Sequence, residues 1–132
     1  MQYETHNYKQ FIFHLMPIAK PRMSQRDKWA KRPPVMRYRA FAKELALQAS
    51  RQGFSLENGL AYEFHLPMPK SWSQKKQLEK LGQLHDQKPD LDNLLKSIFD
   101  VLLRQDCLIG HVAQVKKIWA LKPKIIITKK IT

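Results

Sequence analysis

The chain has 132 residues, 43% of them hydrophobic and 27% charged, the size and make-up of a single globular domain. No run approaches the roughly 20 apolar residues of a membrane span, and Met1 to His6 show no basic head leading into an apolar stretch. The lone Cys107 excludes an intramolecular disulfide and a multi-cysteine zinc site, so a reducing, cytoplasmic setting is expected. Lys and Arg number 24 against 11 Asp and Glu, a net charge of +13, which is the footprint of a domain that meets a polyanion, usually nucleic acid.

Residues 10–18 alternate, with Phe11, Phe13 and Leu15 on one face and His14 on the other, which predicts a first strand stopped at Pro17. A basic segment follows. Between Lys20 and Arg39 lie eight cations, Lys20, Arg22, Arg26, Lys28, Lys31, Arg32, Arg37 and Arg39, interrupted by one acid, Asp27. Prolines 21, 33 and 34 oppose a continuous helix, so 20–39 is read as a long basic loop. Its cations would neutralise phosphates, and Trp29 among them could stack on an unpaired base. The plainer reading is a solvated loop with one packed Trp.

Residues 36–52 read as a helix that buries Tyr38, Phe41 and Leu45 and ends at Gly53. Residues 59–67 alternate again, with Leu60, Tyr62, Phe64 and Leu66 on one face, as a second strand. A short polar helix is expected from a Ser71 cap through Lys80, ended by Gly82. The strongest helical pattern is 90–104, where Leu91, Leu95, Ile98 and Leu102 make a stripe widened by Leu94 and Val101. Residues 108–121 and 124–131 predict two last strands around a turn at Lys122–Pro123. The order β-α-β-(α)-α-β-β, with consecutive strands at the end favouring an antiparallel pair, gives an α+β fold with a small mixed or antiparallel sheet packed by helices. No internal repeat or second-domain boundary is visible.

Acids concentrate where the rest of the chain is basic. Asp86, Asp90, Asp92, Asp100 and Asp106 are five of the eleven. Pro89 keeps a helix from running through Lys88, which leaves Asp90 at the N-cap. Residues two apart on a helix point to nearly opposite sides, so Asp90 and Asp92 converge only if Asp90 lies outside the helix and folds over its first turn. Lys96 follows Asp92 by one turn, and Asp92, Lys96 and Asp100 form a polar stripe opposite the leucines. Each residue also has a plain structural role: Asp90 as cap, Asp92 in the helix dipole field, Lys96 as its i,i+4 partner. Those roles explain the residues singly and the clustering less well. Converging carboxylates repel unless protonated or bridged by a cation. Mg²⁺ takes carboxylates, waters and substrate phosphate oxygens, so such a cluster beside phosphate-binding cations suits phosphodiester hydrolysis.

Lys88 to Asp100, K-P-D-L-D-N-L-L-K-x-x-x-D, closely resembles the signature of the RusA family of Holliday junction resolvases, small basic endonucleases common in phages and prophages. Pro17 to Arg22 resembles the P-x-x-K-x-R entry to that family's basic loop, and Asp106 to Ile109 resembles the acid-x-x-aliphatic step after its motif helix. The resemblance implies an α+β homodimer that nicks four-way DNA junctions in recombination and repair, with Mg²⁺ held by Asp90, Asp92 and Asp106. Lys96 would assist, Asn93 and Asp100 would support, and Lys20, Arg22, Arg26, Lys28, Lys31 and Arg32 would contact DNA. The family commonly carries two adjacent acids at the third step, whereas here Gln105 precedes Asp106 after a short connection. That departure motivates the alternative of a non-catalytic basic DNA-binding module, an inactive prophage remnant. A structural or RNA-associated basic protein rests on charge and length alone.

Trp72 and Trp119 read as core or edge aromatics, and Cys107 as a small hydrophobe. The five histidines show no metal-ligand spacing.

Overall fold

The computed structural model describes residues 7–21, 32–103 and 105–131, the side chain of Asp106 excepted. Four strands, β1 (Tyr8–Phe13), β2 (Leu60–Pro67), β3 (Val112–Ala120) and β4 (Lys124–Lys130), combine with three helices, α1 (Pro33–Gln52), α2 (Gln74–Lys80) and α3 (Leu91–Leu102). The fold is α+β, in the expected element order. Among the described residues no helix is long and apolar enough to cross a membrane.

The sheet runs β1-β4-β2-β3. β4 lies antiparallel to both β1 and β2, while β3 lies parallel to β2. The expected antiparallel pair between the last two strands is therefore not formed. β3 and β4 flank β2 on opposite sides, and residues 121–123 carry the chain across its end. The reason lies in β2 itself. Every second residue of LAYEFHLP is buried, and a strand so apolar is best covered with neighbours on both edges. Tyr62 and Phe64 stand opposite Ile127 and Ile125, which in turn stand opposite Phe11 and Phe13. These cross-strand pairs fix the register, because a slip of one residue would turn the whole set to the other face.

Helices α1 and α3 cover this apolar face. Val35, Tyr38, Phe41, Leu45 and Ala49 are the buried residues of α1, at the 3–4 residue spacing of one helical stripe. Leu94 and Ile98 of α3 complete the core cluster, with Leu91, Leu95 and Val101 packed at its margin. The α3 stripe thus centres on Leu94 and Ile98, rotated from the expected Leu91–Leu102 line, and includes the buried Ser97, whose hydroxyl donates to the Leu94 carbonyl at 2.7 Å. The opposite face of the sheet is polar, with Glu63 bonded to His65 at 2.8 Å and paired to Lys116 at 3.7 Å.

Several boundaries differ from expectation. β1 ends at Phe13, where the exposed His14 gives its backbone N–H to the Gln48 side chain at 2.9 Å. α1 begins at Pro33, with proline at its first positions. A proline there loses no helical hydrogen bond, so residues 33–39 are helix, and Arg37 and Arg39 ride on α1 instead of a loop. Residues 22–31, with Trp29, lie outside the described part. α1 ends as expected, with Gly53 left-handed at φ 64°. Ser73 caps α2 in place of Ser71, accepting from the Lys76 N–H at 3.2 Å. Asp106 does not begin a strand. Asp106–Leu108 form a 3₁₀ turn, and β3 starts at Val112, where Asn58 Oδ1 accepts the N–H groups of Gly110 (2.7 Å) and His111 (3.0 Å).

Candidate active site

The acid-rich motif occupies the N-terminal end of α3 and the segment leading into it. Asp90 is the N-cap, extended at φ −68°, ψ 144°, and its side chain makes no capping hydrogen bond. The capping role that would account for Asp90 structurally is thus not played. Its carboxylate faces out, with Lys88 Nζ at 2.9 Å from one oxygen and 3.0 Å from the other. Lys88 is 85% exposed, so water screens this pair and it adds at most about 1 kcal/mol. An ammonium so placed is a weak counter-ion that a divalent ion could displace.

Asp92 follows in the first turn of α3 and is exposed, one oxygen accepting the Asn93 N–H at 2.9 Å. Lys96 is exposed one turn further along. Asp90 before the helix and Asp92 within its first turn therefore share one helix end, as the placement of Pro89 requires. Asp100 departs from this group. It is only 17% exposed and pairs with Lys20 at 3.3 Å, beneath the entry to the basic segment. Burial, and next the negative charge of Asp100, push the Tyr38 phenol upward. Asp100 thus ties Lys20 to α3.

The third expected acid, Asp106, has its backbone in the 3₁₀ turn, and its side chain lies outside the described part. Among the described residues no group of three His, Cys, Asp or Glu is placed to share an ion. Of the six expected DNA contacts, Lys20 and Arg32 are described. Arg22, Arg26, Lys28 and Lys31 are not. Cys107 is exposed, against the expectation of a small hydrophobe packed inside.

Sequence reasoning missed what holds this end of α3. Residues 82–85 run along the outer edge of β3, with Gly82 N–H to Trp119 O (2.9 Å), Trp119 N–H to Gln83 O (3.0 Å) and His85 N–H to Lys117 O (2.9 Å). The buried Trp119 packs against Trp72 at 4.7 Å and His85 at 3.9 Å between ring centres. Burial, and next the charge of Lys117, push the His85 imidazole below its ordinary value, with Asp86 opposing. Lys117 Nζ then donates to the carbonyls of Gln87 and, at 2.7 Å, Pro89. No sequence signal singles out Lys117 within its run of cations.

Two helices thus cover one face of the sheet, and an acidic helix end stands on a strongly basic chain. The family model of endodeoxyribonuclease RusA matches residues 13–129. The chain belongs to this family of nucleases. No curated protein matches it.

Proposed function

We propose that this protein is a Mg²⁺-dependent endonuclease that resolves four-way DNA junctions by paired hydrolysis of phosphodiester bonds, acting as a homodimer in recombination and repair in the cytoplasm. The observation that supports the reading best is the Asp90 carboxylate. It stands at a helix N-terminus beside Asp92, makes no cap, and is balanced only by an exposed ammonium among the described residues. Mg²⁺ is commonly held by one or two carboxylates with waters and substrate phosphates completing its shell, so Asp90 and Asp92 suit it and Asp106 is the proposed third ligand. When bound, the ion would polarise a phosphate oxygen and lower the pKa of an attacking water. The chain's own residues do the rest. Asp90 and Asp92 would hold the ion at the N-terminal end of α3, with Asn93 beside them. Lys96, one turn on, stabilises the negative charge that grows on the phosphoryl oxygens. Lys20 and the cations after it, Arg22, Arg26, Lys28, Lys31 and Arg32, bind the flanking backbone without reading sequence. Two such sites about a two-fold axis would match a two-fold junction.

The test is cleavage of a synthetic mobile four-way junction with Mg²⁺ or EDTA. Asp92→Asn should cut cleavage by more than the about 10–100-fold that loss of an outer partner costs, while junction binding holds or tightens because phosphate repulsion falls. Cleavage by the Asn variant at the parent rate would show the site to be wrongly assigned. A second reading, binding without cleavage, is motivated by Gln105, which stands before Asp106 where the family commonly carries two adjacent acids. It predicts steeply salt-dependent binding and no nicks with any divalent ion.

A further inference from the structure

We infer that Lys117 is a positioning residue of the nuclease site: from strand β3 its ammonium holds the segment that presents Asp90. The inference rests on the reading of Asp90 as a metal ligand. Its geometry is independent of that reading.

Segment 82–90 is fastened in two ways along its length. Its first part is a strand-like edge, tied to β3 through the backbone of Gly82, Gln83 and His85. That ladder stops at His85. Beyond it, the Gln87 N–H goes to the His85 ring at 3.4 Å, and the carbonyls of Gln87 and Pro89 both accept from Lys117 Nζ. The two carbonyls flank Lys88, so one ammonium fixes the chain on both sides of the residue that pairs with Asp90. The next carbonyl, that of Asp90, accepts the Leu94 N–H at 3.1 Å and opens α3. Lys117 is therefore the joint between a rigid strand and the first residue of the motif helix.

The chemistry suits a joint. Hydrogen bonds from a charged donor are shorter and stronger than neutral ones. The ammonium has three donors on a flexible stem and can serve two carbonyls that no backbone ladder could reach together. The same residue accepts the His85 N–H through its own carbonyl at 2.9 Å, so backbone and side chain of Lys117 hold successive parts of one segment. A positioned carboxylate needs such support, because a ligand set free by even 1 Å loses its geometry.

The experiment compares Lys117→Met, which keeps the apolar stem and removes the donors, with Lys117→Arg, which keeps charged donors. Lys117→Gln serves as a milder removal should the Met variant fold poorly. Two readouts need no cleavage: amide hydrogen exchange across residues 86–92, and Mg²⁺ affinity from chemical-shift titration of the Asp90 and Asp92 amides. The Met variant should exchange faster at 86–92 with the rest of the sheet unchanged, and bind Mg²⁺ about 10–100-fold more weakly, the usual cost of an outer supporting partner. The Arg variant should recover much of both. Unchanged Mg²⁺ affinity in the Met or Gln variant, or a loosening spread evenly over the sheet, would overturn the role. Failure of the parent protein to cut junctions would sink the proposed reaction alone, since exchange and Mg²⁺ titration still decide what Lys117 does.

Discussion

The two flanks of β2 are built by different chemistry. On one side, β4 and β1 meet it through stacked apolar pairs, Tyr62 and Phe64 against Ile127 and Ile125, then Phe11 and Phe13. On the other side, β3 carries segment 82–90 on a short ladder, a tryptophan–histidine stack and one lysine. On the apolar flank many contacts share each burden, and together they fix the register. The polar flank depends on few bonds, each of which fixes a position. The first supplies stacked apolar burial, and the second places the segment that leads into α3 and the proposed site.

The contrast can be broken most severely in the core. Phe64 is fully buried at the sheet centre. Phe64→Ala should cost about 3–5 kcal/mol, a large part of the roughly 5–15 kcal/mol that holds such a domain, read as a fall in denaturant midpoint. Tyr62 sharpens the comparison from the other direction. Its hydroxyl is buried without a hydrogen-bond partner among the described residues, and burial pushes the phenol up to about 12. Tyr62→Phe should therefore be neutral or raise stability by about 1 kcal/mol, since it removes an unsatisfied group. A clear loss in thermal melting would mean that the hydroxyl has a partner after all. Lys20→Ala should cost under about 1 kcal/mol, because Lys20 is 40% exposed in its pair with Asp100. Its effect belongs in the salt dependence of DNA binding, measured by titration.

The smallest effect is confined to the polar flank. His85 is held below its ordinary value by burial first and by Lys117 second, against Asp86. The folded protein therefore favours neutral His85, and the unfolded chain takes the proton more readily. The stability contributed by this burial is complete above the unfolded value of about 6.5 and is lost as pH falls below it. Protection factors across 82–90, corrected for the intrinsic pH dependence of amide exchange, should fall from pH 7.5 to 5.5, and His85→Gln should flatten that dependence. An equal fall in the Gln variant would assign the effect elsewhere.

Most elements were legible in the sequence because periodicity reports burial directly. The buried residues of α1, Tyr38, Phe41 and Leu45, and the alternation of β2 are of this kind. Strand order was not legible. The apolar residues of KIIITKK suit any neighbour, and the short turn at 121–123 suggested a hairpin that the need to cover β2 overrides. In the site, the spacing of Pro89, Asp90 and Asp92 foretold one shared helix end. The pairing of Asp100 with Lys20 was not legible, because Lys20 lies eighty residues away in the sequence. Lys117 could not be read, since a lysine among lysines has no period and its partners are backbone carbonyls.

Strand order also governs when the sheet can close. The parallel pairing of β2 with β3 joins Leu60 to Val112, roughly fifty residues apart, the kind of distant contact that forms late. The segment bearing Asp90 leans on β3, so its support is absent until Lys117 has been synthesised. β4 then enters between β1 and β2, joining two halves that do not otherwise touch along their edges. Until β4 pairs on both of its edges the sheet stays in two parts, so its closure waits on residues 124–130.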